Sequence, residues 1–182
     1  MKVSQIGFLL LFALFVQTTF MRLITNAFIP FDVVFIAIVF IALFRGAVVG
    51  IVVGSIGGLL QDILSGGIIG VNGLVKSTIG LLVGLTATRF IVDTLWYRLA
   101  LLFVASLMST LFFLMVYGLL LNRVQSIAVD PLLSFDNFLY QATANMIVGG
   151  LAELLFYLIK NIRKRSNKIS RRSFIRREWI MN

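Results

Sequence analysis

The sequence predicts an all-α membrane protein, built as a bundle of six transmembrane helices. The chain of 182 residues is 60% hydrophobic, has a mean hydropathy of +1.04 and carries only 13% charged residues. A soluble domain of this length could not bury so much apolar surface. Continuous apolar runs that exceed the length of any strand predict spanning helices. The runs cover about residues 5–21, 28–44, 46–64, 72–92, 97–121 and 138–160.

The boundaries of the first three spans depend on two observations. The first run has no small-x-small cleavage site after it, so we expect a span and not a cleaved signal. Residues 28–60 as a single helix would be about 50 Å long and would place Arg45 near mid-membrane, at a cost of roughly 2.5–3.5 kcal/mol. Two spans joined by a tight turn at Arg45-Gly46 fit better, with Pro30 opening the second span.

The basic residues predict the orientation of the bundle. Cytoplasmic loops of membrane proteins carry an excess of Lys and Arg, so we expect both termini in the cytoplasm. The cytoplasmic side then holds Lys2, Arg45, Arg89 and Arg98, and the other face holds Arg22, Lys76 and Arg123. The longest outer loop, about residues 122–137, contains Asp130-Pro131.

A basic tail follows the last span. We divide the chain into a transmembrane domain, residues 1–160, and a cytoplasmic tail, residues 161–182. Such a tail predicts attraction to anionic lipids first and docking to an acidic cytoplasmic partner second, and we expect no binding of nucleic acid. The residues expected to make these contacts are Arg163, Lys164, Arg165, Arg171 and Arg172.

Glycine is concentrated in one region, since 11 of the 15 glycines lie between positions 46 and 84. Steps of three or four residues place them on one face of each of two successive helices. Small faces let helix axes approach closely, which favours packing between these two spans, with a partner interface as the alternative. The third span carries Gly50, Gly54 and Gly57 on this face, and the fourth carries Gly73, Ser77, Gly80 and Gly84.

A glycine-punctuated outer turn with a carboxylate at its start joins these two spans. Asp62 precedes Ser65, Gly66 and Gly70, which we identify as candidate interaction residues. One hypothesis is a shaped loop that recognises a partner or ligand. The other is a turn that needs positive φ values, in which Asp62 is solvated, reaches Lys76, or caps the next helix.

Polar residues within the apolar runs are candidates for an intramembrane site. Asn145 and Glu153 lie eight residues apart on one face of the sixth span, and Gln17 lies in the first. Ionisable groups inside a membrane often mark functional sites, although a glutamate that hydrogen-bonds between helices is the simpler hypothesis. The chain has no Cys and no His, so we expect no catalytic residues, metal site or cofactor.

Residues 10–90 also carry a family pattern. Gln17, Pro30-x-Asp32, Arg45-Gly46, the glycine face, Leu60-x-Asp62-x-Leu64-Ser65-Gly66, Gly70 and Gly80-x-x-x-Gly84 follow one another in order. This arrangement resembles the rod shape-determining protein MreD family. Residues 97–160 match that family only in hydropathy.

The resemblance implies a non-catalytic scaffold of the bacterial elongation (rod) complex in the cytoplasmic (inner) membrane. The implied partners are an MreC-like protein, an MreB-type filament and the lateral-wall peptidoglycan synthases. The family is similar in architecture to the vitamin-binding S components of energy-coupling-factor (ECF) transporters, so such a small-molecule-binding subunit is the alternative function. No Ala-x-x-x-Ala contact motif, common in those S components, occurs here.

Overall fold

The computed structural model describes residues 3–23, 31–66, 68–89, 94–121 and 139–159. Within these ranges the chain is all-helical, and the prediction of six helices is confirmed. Four of the helices, α3 to α6, are long and apolar enough to cross a membrane. The helices are α1 (Val3–Leu23), α2 (Val33–Arg45), α3 (Ala47–Ser65), α4 (Val71–Arg89), α5 (Leu95–Leu121) and α6 (Leu139–Ile159).

The second helix is shorter than predicted. It begins at Val33 because Asp32 is its N-cap, with an extended φ of −117° and a carboxylate Oδ1 that accepts a hydrogen bond from the Phe35 amide at 2.9 Å. Pro30 lies outside the described residues and is not the first residue of this helix. With 13 residues, α2 is about 20 Å long, which falls short of the roughly 30 Å of hydrocarbon.

The predicted tight turn between the second and third spans is confirmed. Gly46 alone separates α2 from α3, and its φ of 86° is a conformation that side-chain-bearing residues rarely adopt. The two helices then run back along each other, since Gly50 faces Ala42 and Gly57 faces Ile38.

Helices α3 and α4 form the closest pair in the fold. A Cβ added to Gly54 would lie 2.5 Å from the carbonyl oxygen of Lys76, closer than real Cβ contacts occur. In the same way Gly50 faces Gly80, and Gly58 faces Asn72. Each step of four residues along α3 is matched by a step of four back along α4, so the pair is antiparallel with backbones in direct contact.

The apolar core lies on both sides of α2. One cluster joins α1 to α2 and α3 and includes Leu10, Leu14 and Ile38. The other joins α2 to α4 and α5, includes Val39 and Leu102, and is also packed by Val148 of α6. Helix α2 is therefore central, and eight of its 13 residues are buried.

The chain divides into two compact units, residues 1–148 and 149–182, at a point within α6. In the second unit the structure describes residues 149–159, where the large apolar side chains of the helix, such as Phe156 and Tyr157, are exposed. The basic tail expected over residues 161–182 lies outside the described residues.

Candidate functional site

A cluster of polar side chains lies near the N-terminus of α2, and each of the six helices contributes one residue at its start or along its length. We call it the polar cluster. Most of its members are buried in an otherwise apolar interior. Because unpaired polar groups are costly in such a place, their hydrogen bonds fix how the helices meet. The members are Gln17, Asp32, Gln61, Lys76, Ser106 and Asn145.

An ion pair forms the centre of the polar cluster. The Lys76 ammonium lies 2.5 Å from the Asp32 carboxylate oxygen Oδ2, and the two side chains are only 2% and 16% exposed. The ammonium also donates to the Gln61 side-chain carbonyl. The Gln61 amide in turn approaches the same Asp32 oxygen at 3.5 Å. The pair is electrically neutral as a unit, which offsets the cost of holding two charges away from water.

The flanking helices bind the backbone at the start of α2. On one side, Gln17 of α1 accepts a hydrogen bond from the Val33 amide at 2.8 Å and donates to the Phe31 carbonyl at 3.3 Å. On the other side, Asn145 of α6 accepts from the Asp32 amide at 2.8 Å and donates to the Ser106 hydroxyl of α5 at 2.8 Å. Amide side chains from two distant parts of the sequence thus satisfy orphan backbone groups at one helix terminus.

Asp62 organises the turn between α3 and α4. Its carboxylate is only 1% exposed and accepts hydrogen bonds from the Gly70 amide at 2.8 Å, the Asn72 amide at 3.1 Å and the Asn72 side chain at 2.6 Å. These bonds satisfy amide donors at the start of α4, where the helix dipole also favours a negative charge. Helix capping is therefore what the structure shows for this residue. The alternatives of a solvated Asp62 and of a contact with Lys76 are contradicted, because the carboxylate is 1% exposed and Lys76 pairs with Asp32.

The turn held by Asp62 presents an apolar surface. Gly66 and Gly70 have φ values of 70° and 101°, which confirms the need for positive φ in this segment. Ser65 and Gly66 are exposed, and so are four large apolar side chains around them. We call these four the apolar tip; they are Ile63, Leu64, Ile68 and Ile69, with exposed fractions of 61%, 54%, 44% and 70%.

The glycines of the third span lie in the interior of the protein, between helices. Gly50 and Gly54 are buried against α4, and Gly57 is buried against Leu10 of α1 and Ile38 of α2. The internal packing expected of this face is what the structure contains. These glycines can therefore affect a partner only indirectly, by setting where α3 and the apolar tip lie.

The polar cluster contains two of the three residues expected to form an intramembrane site. Gln17 and Asn145 both bind the start of α2, whereas Glu153 is a half-buried residue of the second unit. The sequence pattern did not identify Gln61 and Ser106, and it predicted Lys76 at the outer face, whereas Lys76 is 2% exposed in the interior. A charged residue one turn inside a predicted span was the available signal.

Two observations limit the chemistry of the described region. No group of three or more His, Cys, Asp or Glu side chains within the described ranges could hold a metal ion. The carboxylates of Asp32 and Asp62 are each committed to several hydrogen bonds with the protein itself. The arrangement therefore fixes helix positions and the shape of one turn.

Comparison with known proteins assigns the chain to a family. No curated protein and no solved structure matched the sequence significantly. A family model described as rod shape-determining protein MreD matches residues 2–164, nearly the whole chain. The description implies a role in determining rod shape, and the four long apolar helices indicate a multi-pass membrane protein. The chain belongs to the rod shape-determining protein MreD family.

Proposed function

We propose that this protein is a non-catalytic scaffold of the bacterial elongation complex. It lies in the cytoplasmic membrane with both termini in the cytoplasm and helps to position lateral peptidoglycan synthesis. Its proposed partners are an MreC-like protein, an MreB-type filament and the peptidoglycan synthases. Family membership supports the role in rod shape, and the contacts with these partners are the proposal.

The observation that carries the proposal is the apolar tip fixed by a buried carboxylate. Asp62 accepts hydrogen bonds from the Gly70 and Asn72 amides, which fixes the backbone directly after the exposed Ile68 and Ile69. Apolar side chains on a backbone fixed by hydrogen bonds lose little conformational entropy on binding, which supports a protein partner at this turn. Ser65, Gly66 and Gly70 contribute by shaping the backbone, and Gly50, Gly54 and Gly57 by fixing α3 against its neighbours.

The remaining proposed contacts divide between the two faces of the membrane. We assign the apolar tip to the partner with a periplasmic or membrane segment, the MreC-like protein or a synthase. The basic tail, with Arg163, Lys164, Arg165, Arg171 and Arg172, is assigned to anionic lipid or to an MreB-type filament. The positive charge of the tail, part of a net charge of +9, supports this division.

The test is copurification of the complex with variants of the apolar tip. Ile69→Ala removes an apolar contact surface that is 70% exposed, and Asp62→Asn replaces a carboxylate that receives three hydrogen bonds. Both should reduce recovery of the MreC-like partner and the synthases while the protein still inserts. Ile56→Ala is the matched control, because Ile56 is an exposed isoleucine of α3 at 49%, outside the turn.

Normal recovery of partners by both turn variants would show that the turn is only structural. The alternative function, a vitamin-binding transporter subunit, would appear in the same experiment as an ATPase module and a bound vitamin. The polar cluster does not favour that alternative, because its side chains hydrogen-bond one another. Depletion gives a second readout, since loss of a scaffold should turn rods into spheres.

A further inference from the structure

A groove between α4 and α5 has no role in the function proposed above. The groove has a volume of about 290 Å³ and is lined mainly by apolar side chains from both helices, among them Val83, Leu101 and Val104. One side of the groove is open to the surroundings of the protein, since Val104 is 54% exposed and Met108 is 46% exposed. In a membrane such an opening faces lipid.

The length of the groove indicates what can occupy it. On α5 the lining residues extend from Tyr97 to Met108, a rise of about 16 Å. One leaflet accounts for half of roughly 30 Å of hydrocarbon, about 15 Å. A spanning helix of a partner would need a groove about twice as long. The groove therefore matches an acyl chain from a single leaflet.

Two arginines lie near the end of the groove at Tyr97. Arg89 lies one turn beyond the lining residue Thr86 on the same face of α4, and Arg98 lies one turn before the lining residue Leu101 on the same face of α5. The Arg98 guanidinium is held 5.4 Å from the centre of the Phe44 ring. Tyr97 and the exposed Trp96, amphipathic side chains that favour the headgroup level, are at the same end.

We propose that the groove between α4 and α5 binds one acyl chain of an anionic phospholipid, with the phosphate held by Arg89 and Arg98. Guanidinium groups match phosphate oxygens with paired hydrogen bonds. This step rests on the orientation proposed above, with both termini in the cytoplasm, which puts this end of the helices in the cytoplasmic leaflet, where anionic lipid is available. This inference is independent of which protein binds the apolar tip.

Native mass spectrometry tests the proposal. The full-length protein is reconstituted in nanodiscs with equal amounts of phosphatidylglycerol and phosphatidylcholine and then released with its retained lipid. We expect the wild type to keep one phosphatidylglycerol, with a preference of roughly tenfold or more, the discrimination that two arginines near an anionic headgroup supply. Equal retention of both lipids would overturn the proposal.

Two pairs of variants separate the groove from general charge attraction. Ala100→Phe fills the groove at an exposed lining position and should abolish the retained lipid, whereas Ala152→Phe, an exposed position of α6 outside the groove, should not. The double variant R89Q/R98Q should lose the preference for phosphatidylglycerol. Arg45→Gln should keep it, because α2 contributes no residue to the lining.

Each variant has an outcome that would refute the assignment. Unchanged lipid retention in Ala100→Phe would show that the lipid binds elsewhere. R89Q/R98Q keeps the proposal testable if the filled groove disturbs folding, because an unchanged preference for phosphatidylglycerol would exclude the two arginines as its phosphate site. An equal loss in Arg45→Gln would indicate attraction to the whole basic end of the bundle. Loss of a copurifying protein from Ala100→Phe with lipid retention unchanged would assign the groove to a partner helix.

Discussion

The ion pair between Lys76 and Asp32 offers the most direct test of the polar cluster. Replacing Lys76 by Met keeps an unbranched side chain that is one atom shorter and removes the charge. The Asp32 carboxylate then keeps its bond from the Phe35 amide and its contact with Gln61 but loses its counter-ion. Because Lys76 is 2% exposed and Asp32 is 16% exposed, little water can replace the ammonium.

The expected destabilisation is about 3 kcal/mol. Breaking one partner of a buried pair costs roughly 3–5 kcal/mol, and the low end of this range applies because the Asp32 side chain is 16% exposed and keeps its other hydrogen bonds. This corresponds to a change of roughly 100-fold in the unfolding equilibrium constant. The double variant D32N/K76M should cost only about 1 kcal/mol, because Asn retains the N-cap acceptor and neither charge remains unpaired.

The assay is reversible unfolding in mixed micelles with increasing dodecyl sulfate, followed by loss of helical circular dichroism. The wild type, K76M, D32N and the double variant form a double-mutant cycle, from which the coupling free energy follows directly. A cost below about 1 kcal/mol for K76M, or a double variant whose cost equals the sum of the single variants, would refute the assignment of a buried, energetically coupled pair.

Two further predictions concern helix packing and the link to α6. Gly54→Leu should prevent the close approach of α3 and α4, because a Cβ at this position would lie 2.5 Å from the Lys76 carbonyl oxygen. Gly7→Leu is the control and should retain the wild-type unfolding midpoint, since nothing lies within 4 Å of a Cβ at Gly7. A Gly54 variant that unfolds at the wild-type denaturant concentration would contradict the backbone contact. Asn145→Leu should lower the free energy of unfolding by about 1–3 kcal/mol, because the Asp32 amide and the Ser106 hydroxyl lose their present partner. Met146→Leu, at the neighbouring position, is the control and should be nearly neutral in the same unfolding assay. Equal stability of these two variants would show that Asn145 makes no net contribution.

The hydrophobic pattern of the sequence predicted the number and approximate position of the helices. Spanning helices need long apolar runs, so α3, α5 and α6 lie within two residues of their predicted bounds. Arg45-Gly46 identified the hairpin between α2 and α3 because a charge is costly at mid-membrane. The start of α2 was misplaced because the capping role of Asp32 depends on a local backbone geometry that hydropathy does not describe.

The roles of the glycines could also be predicted, because they depend on residues close together in the sequence. Spacings of three and four residues place small residues on one helix face whatever the rest of the chain does. The need for a positive φ at Gly66 and Gly70 follows from the turn they occupy. Such short-range features can be predicted from a sequence because they depend on residues that are close along the chain.

Only the tertiary structure decided which polar groups meet. The Asp32 amide and Asn145 are 113 residues apart, and Asp32 and Lys76 are 44 apart, so no spacing rule could pair them. Sequence alone made Asp62 and Lys76 plausible partners, since both lie near the same turn. The structure instead gives Asp62 to the amides of the turn and Lys76 to Asp32. Packing of α2 at the centre of the bundle decides this, because it brings the capping carboxylate within reach of the lysine and excludes the water that would otherwise separate them.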